Sequence, residues 1–434
     1  MDKQTKTRFF NTHPFSLFMN KTSTISGFYK LPLKKRIEIV KEFAHLTPEE
    51  TDMLTSFHAL SAVTADQMIE NVVGCFQLPL GIATNFQINN KDYLIPMAIE
   101  ETSVVAAASN AAKMARVKGG FKTTTSDPIM IGQIQVLNPD PAKIPDIGKH
   151  KKEILDHANT QDKILAKLGG GAQDITVRQI TPNMIAIHLL VNVLDAMGAN
   201  AVNTMVEAVA PLIETITGGR VLLRILSNFA EYRTAEATAI FDKDAIGGHQ
   251  VVTDMIHAYT FAAHDPYRAA THNKGIMNGI DAVVIATGND WRAIESGAHA
   301  YAAQQGYTSL TQWNKNPQGD LVGHIKIPMP VGIIGGATVI HPMAQLSLKI
   351  LGIKKATDLA GIIAAVGLAQ NFAAMRALVT KGIQAGHMRL HAKNIAYMAG
   401  AVNKEIDEVA SLMIKEKNIR MDRAKEIIKT LRGK

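Results

Sequence analysis

The feature that most constrains the fold is a change of pattern between about residues 129 and 226. Apolar, β-prone runs alternate there with segments whose apolar residues recur at helical spacing. Strands are predicted at 131–137, 175–180, 184–193 and 220–226, with helices at 151–168 and 200–217. The resulting order, strand-helix-strand-strand-helix-strand, is that of a small ferredoxin-like domain. Because its neighbours are helical, we interpret it as an insertion.

The remainder of the chain predicts a larger, helix-rich unit. The polar residues Asn89 to Asp92 separate two β-prone runs and indicate a hairpin. Helical patterns cover 33–60, 289–305, 341–351 and 358–381. We therefore predict an α+β protein in three parts: a large domain from 1–127 and 224–381, an inserted ferredoxin-like domain at 128–223, and a small mobile helical C-terminal domain at 382–434.

Composition narrows the class of protein. The 434 residues are 47% hydrophobic, enough to bury a large core, and carry a formal charge of +8. Basic residues are densest at Lys149 to Lys152 and from Lys415 to Lys434. A nucleic-acid-binding protein would add stacking aromatics or a known motif, and neither is evident. A phosphorylated small molecule, or simply a solvated helical face, remains as an explanation of the charge.

Cellular location is constrained by one cysteine and by the apolar segments. Cys75 cannot form an internal disulfide, so we expect a cytoplasmic protein, and its apolar surroundings at 72–80 predict a buried thiol. No signal-peptide core is evident. The most apolar stretch, 359–379, contains Gln370, Asn371 and Arg376, which favour a buried helix over a membrane span.

Glu100 and Glu101 come directly before an Ala-rich helix predicted from Ser103 to Arg116. The unpaired amides of the helix start and a carboxyl group then lie side by side. The carboxyl group could donate a proton, and the amides could hold an anion. The two acids could equally serve only to complement the helix dipole.

A second group of polar residues lies at 265–278 and contains Arg268, Lys274 and Asn278. The apolar run that follows, 280–285, is expected to be a buried strand. A cation at the entrance to a core needs a charged partner, and Asp290 is available nearby. Alternatively, Asp290 is an ordinary helix N-cap.

Two further motifs are less specific. His387 and His391 are four residues apart, which would place them on one helix face as metal ligands, although no zincin motif or cysteine cluster accompanies them. His387 beside Gly386 is better explained as a mobile general acid or as a structural histidine. The polar turn at 195–203 can present amides to a phosphate, but neither this turn nor the glycine runs at 169–171 and 332–336 form a dinucleotide fingerprint with three spaced glycines.

These motifs together resemble one family. The segments Ile69 to Gly74, Glu100 to Ser103, Asp195 to Asn200, His272 to Asp281, Thr287 to Asp290 and Gly386 to Met388 have the order and spacing of class II hydroxymethylglutaryl-CoA (HMG-CoA) reductases. The resemblance extends from about residue 30 to 420. It implies an oxidoreductase that converts HMG-CoA to mevalonate and CoA with two NAD(P)H, in a helix-rich substrate domain with an inserted dinucleotide-binding domain.

The resemblance places the catalytic groups at Glu101, Lys274, Asp290 and His387. Lys274 would stabilise the oxyanion formed at each hydride addition, with Asp290 orienting it. His387 would protonate the departing CoA thiolate. Glu101 would donate a proton to the aldehyde if burial raises its pKa. No metal is implied.

The resemblance also implies binding residues. Ser103, Arg268 and Asn278 would hold the HMG carboxylate and hydroxyl, with Arg268 as the main anchor. Glu70, and more loosely Asn71, would line the pocket. Dinucleotide contacts would come from Asp195, Gly198, Asn200 and Asp162.

Asp162 bears on the choice of cofactor. Its carboxylate can bind a ribose 2′-hydroxyl and repel a 2′-phosphate, so NADH is favoured. NADPH remains possible through Lys163 and Lys167. The chain departs from the family at Thr102, where proline is common, and we expect little effect.

The family also implies an assembly and leaves other functions open. Its site lies between two subunits and is closed by a mobile C-terminal segment, with Gly382 and Gly386 as hinges. A homodimer, or a larger homo-oligomer built from it, is therefore expected. The alternatives are physiological mevalonate oxidation by the same residues, a non-catalytic homologue that binds a CoA ligand, and a metal-dependent hydrolase using His387 and His391.

Overall fold

The computed structural model describes residues 22–56, 60–380 and 383–433, without the side chains of 383–390. The N-terminal part is helical. A single 3-10 turn at Phe28–Lys30 precedes α1 (Leu33–Ala44), α2 (Pro48–Ser56) and α3 (Ala62–Met68). The continuous helical pattern predicted at 33–60 is thus divided among short helices.

The larger of two sheets is assembled from distant parts of the sequence. Its strands are β1 (Leu80–Ile88), β2 (Lys91–Ala98), β3 (Phe121–Thr125), β8 (Thr234–Phe241), β9 (Thr311–Lys315) and β10 (Leu321–Pro328). Their order is β2-β1-β3-β8-β10-β9, and β1 and β3 are parallel. The predicted hairpin is confirmed: Asn89 and Asn90 form its turn with φ of 49° and 65°, as a two-residue turn between twisted strands requires.

The smaller sheet has the connectivity predicted from the sequence. Its strands are β4 (Ile129–Leu137), β5 (Gly171–Thr181), β6 (Met184–Asn192) and β7 (Arg220–Ser227). Helices α5 (Asp146–Lys149), α6 (Lys151–Asn159) and α7 (Lys163–Lys167) connect β4 to β5, and α8 (Ala199–Thr217) connects β6 to β7. The order β5-β6-β4-β7 is fully antiparallel. Because β7 continues to Ser227, it crosses the boundary expected at residue 223.

Each sheet has its own hydrophobic core. The small sheet packs against α6 and α8 through Ile187, Val206 and their neighbours. The large sheet packs against α4 (Val104–Ala115), α10 (His249–His264), α11 (Pro266–Ala286), α12 (Trp291–Ala302) and α15 (Ala356–Val379). The remaining helices are α9 (Lys243–Ile246), α13 (Ala337–Ile340), α14 (Pro342–Leu351), α16 (Ile383–Met398), α17 (Lys404–Lys415) and α18 (Met421–Leu431), and the last three share a separate small core.

Helix α15 lies at the centre of the large core. Glycines permit its close approach to α11: a Cβ on Gly279 would lie 2.9 Å from the Gln370 Cβ, and one on Gly367 would lie 2.9 Å from Ile280. By length and composition α15 could also cross a membrane, as many core helices could, but 67% of its apolar window is buried in the fold.

Two expectations about surface groups are corrected or refined. Cys75 is exposed, not buried, because the segment between α3 and β1 lies on the surface of the chain. The basic run near residue 150 is neutralised by neighbouring acids: Lys149 pairs with Asp146 at 2.6 Å, Lys151 with Asp174 at 2.6 Å and Lys152 with Asp156 at 2.5 Å.

Candidate active site

Helix α11 carries the basic and amide residues singled out in the sequence. Asp265 caps it by accepting a hydrogen bond from the Arg268 amide at 2.8 Å, and Pro266 occupies the first turn. The strand predicted at 280–285 is wrong, because the helix continues to Ala286. A short buried apolar run has no periodicity that distinguishes a strand from a helix. Here the helix-start residues Asp265 and Pro266 indicate a helix.

Lys274 and Asn278 lie one turn apart on α11 and meet Glu101. The Lys274 Nζ is 2.9 Å from Glu101 Oε2, and the Asn278 Nδ2 donates to the same oxygen at 3.3 Å. These residues are separated by more than 170 positions in the sequence. The structure therefore joins the predicted acid and the predicted cation. The Glu101 side chain is 38% exposed, so within one chain it lacks the burial expected of a proton donor.

Ser103 adopts a strained backbone beside this pair. Its φ is 75°, in the left-handed region that a residue with a side chain rarely adopts, and it stands at the N-cap of α4. In the described structure its hydroxyl does not cap the helix. Ser103 is two residues from Glu101, and backbone strain of this kind is common at functional sites.

Arg268 is a half-buried cation one helical turn and a half before Lys274. Desolvation lowers the pKa of its guanidinium, and no carboxylate in the described residues offsets that cost. Buried cations normally have an anionic partner. An anionic ligand would supply one.

Asp290 caps α12, as one of the two interpretations of the sequence predicted. Its Oδ1 accepts bonds from the amides of Arg292 and Ala293 and from the Arg292 Nε at 3.1 Å. Burial opposes its ionisation, but these donors prevail and lower the pKa of the carboxyl. Within the chain Lys274 pairs with Glu101 and Asp290 with Arg292, so the expected contact between Lys274 and Asp290 is not formed in the described residues.

The turn after β6 forms a second cluster. Gly198, with φ of 99°, begins α8, and no side chain in the described structure caps that helix. Its first amides, and the exposed Asn200, are therefore available to an anion. Asp195 has a different contact: its Oδ1 accepts a hydrogen bond from the Ala356 amide at the start of α15, at 2.7 Å.

The glycine-rich loop at 332–336 lies against this turn. The Ile333 amide donates to the Asp195 carbonyl at 2.9 Å, and Ile334 forms a parallel bridge with Ala196. A Cβ on Gly332 would lie 2.5 Å from the Met197 nitrogen, so only glycine fits. The glycine-rich segment 332–336 was dismissed because it lacks the spacing of a dinucleotide fingerprint. The signal available in the sequence was three glycines within five residues.

Asp162 lies near the same end of the small sheet. It caps α7, accepting a hydrogen bond from the Leu165 amide at 2.8 Å. Gly171, which begins β5, pairs with Asn192 at the end of β6. This register brings the segment after α7 beside the start of the turn that contains Asp195.

The other predicted residues are less engaged. Glu70 and Asn71 are exposed in the segment between α3 and β1. The side chain of His387 and the whole of Gly382 lie outside the described residues, although the backbone of 387 belongs to α16. Among the described residues, no cluster of three or more histidine, cysteine or acidic side chains could hold a metal.

Comparison with known proteins interprets this geometry. The family model of hydroxymethylglutaryl-coenzyme A reductase matches residues 32–392. A reductase of that name from Archaeoglobus fulgidus is 59% identical over 418 residues, 95% of each chain. The chain belongs to the HMG-CoA reductase family. A probable HMG-CoA reductase from Borreliella burgdorferi is 35% identical over 89% of each chain.

Solved structures of reductases agree with this membership. An HMG-CoA reductase from Streptococcus pneumoniae superposes with a TM-score of 0.81 at 41% identity, covering 94% of this chain and 99% of that one. A class II enzyme from the same organism, bound to NADPH in open conformations, gives 0.79 at 41% identity, covering 93% of this chain and 100% of that one. The α+β fold and the class II resemblance predicted for this HMG-CoA reductase family member are thus confirmed.

Proposed function

We propose that this chain reduces HMG-CoA to mevalonate and CoA in two steps with two NAD(P)H. The observation that carries the proposal is the contact of Lys274 and Asn278 with Glu101. The three side chains place a cation, an amide donor and a carboxyl group around one point. Reduction of a thioester requires a cation where oxygen becomes negative and an acid where it becomes a hydroxyl. The bound nicotinamide supplies the hydride.

Lys274 stabilises the oxyanion in both steps. Asp290 orients Lys274. Because Lys274 pairs with Glu101 and Asp290 with Arg292 within one chain, this contact needs one of two changes: Lys274 turns away from Glu101, or the Asp290 of a second subunit approaches it. Glu101 donates the proton to the aldehyde oxygen. Its partial exposure means that substrate or a second subunit must exclude water before it acts.

His387 protonates the CoA thiolate after the thioester is reduced. A thiol has an ordinary pKa of about 8.5, close enough to that of an imidazolium for efficient transfer. Helices α16, α17 and α18, which have their own core, form a C-terminal domain at 382–434 that delivers His387 by closing over the site.

The substrate is held by its terminal carboxylate and its hydroxyl. Arg268 binds the carboxylate, because its half-buried guanidinium has no ion pair among the described residues. Ser103 and Asn278 bind the hydroxyl, and Glu70 lines the entrance. This assignment gives the strained backbone of Ser103 a role.

The residues on the small-sheet side fit a dinucleotide. The uncapped start of α8 at Gly198 and Asn200 would hold its phosphates, and Asp195 would hold the turn against α15. Asp162 would bind the adenine-side ribose, which favours NADH over NADPH. The 128–223 segment would be the dinucleotide domain, and 1–127 with 224–381 the substrate domain.

We further propose a cytoplasmic homodimer as the minimal active unit. Ile69, Val73 and Phe76 are 65%, 104% and 93% exposed in the segment between α3 and β1. Large apolar side chains clustered in one exposed segment mark a protein interface. This surface adjoins Glu70, so the interface would reach the substrate pocket.

An assay at 340 nm tests the proposal. HMG-CoA is offered with NADH and with NADPH, and mevalonate plus CoA with NAD and with NADP. We expect turnover in both directions and a higher kcat/KM with NADH. Binding of CoA ligands without turnover would instead support the non-catalytic homologue. Full activity in EDTA is expected, and its loss would support a metal-dependent mechanism.

A further inference from the structure

The loop between α11 and α12 lies between the two clusters of the site. Gly288 turns this loop with a φ of 68°, and a Cβ there would lie 2.9 Å from the Ala344 Cβ. The Asn289 amide donates to the Val284 carbonyl at 2.9 Å, which ties the loop to the end of α11. Asp290 follows directly and caps α12. The backbone that carries Asp290 is therefore firmly held.

The side chain of Asn289 joins this loop to the other cluster. Its Oδ1 accepts a hydrogen bond from the Gly332 amide at 2.7 Å. Its Nδ2 donates to the buried Thr287 Oγ1 at 3.1 Å. Because an amide N–H can only donate, the Gly332 contact determines which end of the Asn289 side chain is the oxygen.

Gly332 continues the connection to the turn after β6. The next amide, that of Ile333, donates to the Asp195 carbonyl. Arg233, only 5% exposed, ties the same two loop segments together: its guanidinium donates to the carbonyls of Ala196 at 3.0 Å and Val331 at 2.5 Å. Burial lowers the pKa of this arginine to about 10, which leaves it charged. The path from Asn289 to Asp195 is thus continuous and mostly backbone.

We infer that Asn289 is a positioning residue that sets the distance between Asp290 and the dinucleotide-side loops at Gly332 and Asp195. The inference rests on the proposed function, because hydride transfer requires donor and acceptor atoms to approach closely. A displacement of about 1 Å can slow such a step about a hundredfold. Asn289 acts through the Gly332 loop and need not touch either substrate.

Two variants test the inference. Asn289→Ala removes the side-chain bonds to the Gly332 amide and to the hydroxyl and carbonyl of Thr287. Thr287→Val removes the oxygen that orients the amide while keeping the shape, and serves as the milder variant if Asn289→Ala folds poorly. Asn316→Ala is the matched control, because the Asn316 Oδ1 also accepts a hydrogen bond from a backbone amide, that of Asp320 at 2.8 Å, but within the β9–β10 turn.

The first measurement is amide hydrogen exchange without dinucleotide, on peptides covering 329–336 and 193–200. We expect faster exchange in both for Asn289→Ala, a smaller change for Thr287→Val, and none for Asn316→Ala. Unchanged exchange in both variants at the site would overturn the inference. This readout does not depend on turnover, so it is separate from a failure of the proposed function.

The second measurement is kinetic, with dinucleotide deuterated at the transferred position. For Asn289→Ala we expect kcat lower by about 10- to 100-fold, a larger isotope effect, and a KM for HMG-CoA within about twofold of wild type. Thr287→Val should lower kcat less, and the double variant Asn289→Ala/Thr287→Val should have the same kcat as Asn289→Ala alone. Faster exchange with unchanged kcat and isotope effect would show a merely structural asparagine and reject the positioning role.

Discussion

The two clusters of the site are built differently. On the side proposed to bind the substrate (the substrate side), charged and amide side chains of α11 meet Glu101, and each contact joins side-chain atoms. On the side proposed to bind the dinucleotide (the dinucleotide side), the contacts among the Asp195 turn, Gly332 and Ile333 are made largely by the backbone. Side-chain chemistry is changed by single substitutions, whereas backbone geometry is changed mainly through the residues that support it. The two sides should therefore respond differently to mutation.

The largest effect is expected on the substrate side, from Lys274→Ala. Losing the cation should lower kcat about 10³-fold for HMG-CoA and also for free mevaldehyde, because each reduction forms an oxyanion. Initial rates with both substrates measure this. Lys122→Ala, an exposed lysine on β3, is the control. A variant that still reduces the aldehyde at the normal rate would remove Lys274 from the second step.

His387→Gln should separate the two reductions. Thioester turnover should fall by about 10²-fold or more, because the thiolate leaves unprotonated, while mevaldehyde reduction should be spared. His391→Gln, one turn further along α16, is the matched control and should retain both activities. Equal loss in the two variants would favour a shared metal site over a single acid.

Asp162→Asn addresses the dinucleotide side. Removing the charge should raise kcat/KM with NADPH relative to NADH by about tenfold, the size of a screened charge interaction at this range. Asparagine can still cap α7 through Oδ1, whereas Asp162→Ala should also destabilise the protein by about 1 kcal/mol. Comparing the two variants separates charge from capping, and an unchanged cofactor ratio in both would reject the NADH argument.

The smallest expected effect is on the free energy of unfolding, and it comes from an acidic residue of α11. Asp281 lies on the Lys274 face of α11, and burial together with the neighbouring Glu295 raises its pKa to about 8. Glu295 in turn contacts the His299 Nε2 at 2.8 Å. An unfolded Asp loses its proton near pH 4, so between about pH 4 and 8 the folded state binds more protons and stability falls as pH rises.

Asp281→Asn should remove this penalty while keeping a donor toward Glu295. Its stability gain over wild type should be near zero at pH 4 and grow to about 1 kcal/mol at pH 8, after allowance for partial exposure. Thermal unfolding at pH 4, 6 and 8 measures it, with exposed Asp66→Asn as the control for charge. A gain in stability that does not change with pH would contradict a raised pKa for Asp281.

On the substrate side, only the residue types could be read from the sequence. Glu101, Lys274 and Asn278 were recognised as an acid, a cation and an amide, although nothing local showed that they touch. The apolar run at 280–285 misled the prediction, since burial on all sides gives helix and strand the same composition. Cys75 was expected to be buried because apolar neighbours usually are, but here they form a surface segment.

The dinucleotide side was predicted only in part. The strand and helix order of the small sheet was readable from periodicity, and the sheet order confirms it. Gly332 and Asn289 were missed because their roles depend on contacts between segments more than 40 residues apart. Such contacts leave no local pattern, and a glycine required for close approach looks like any other glycine.

The most direct test of the account is the stoichiometry of the complete reaction. Purified protein is given limiting HMG-CoA and excess NADH, with absorbance at 340 nm and released thiol measured together. Two NADH oxidised for each CoA and each mevalonate formed is the predicted result. One NADH per CoA with mevaldehyde accumulating, or CoA release without NADH oxidation, would contradict a single site that completes both reductions.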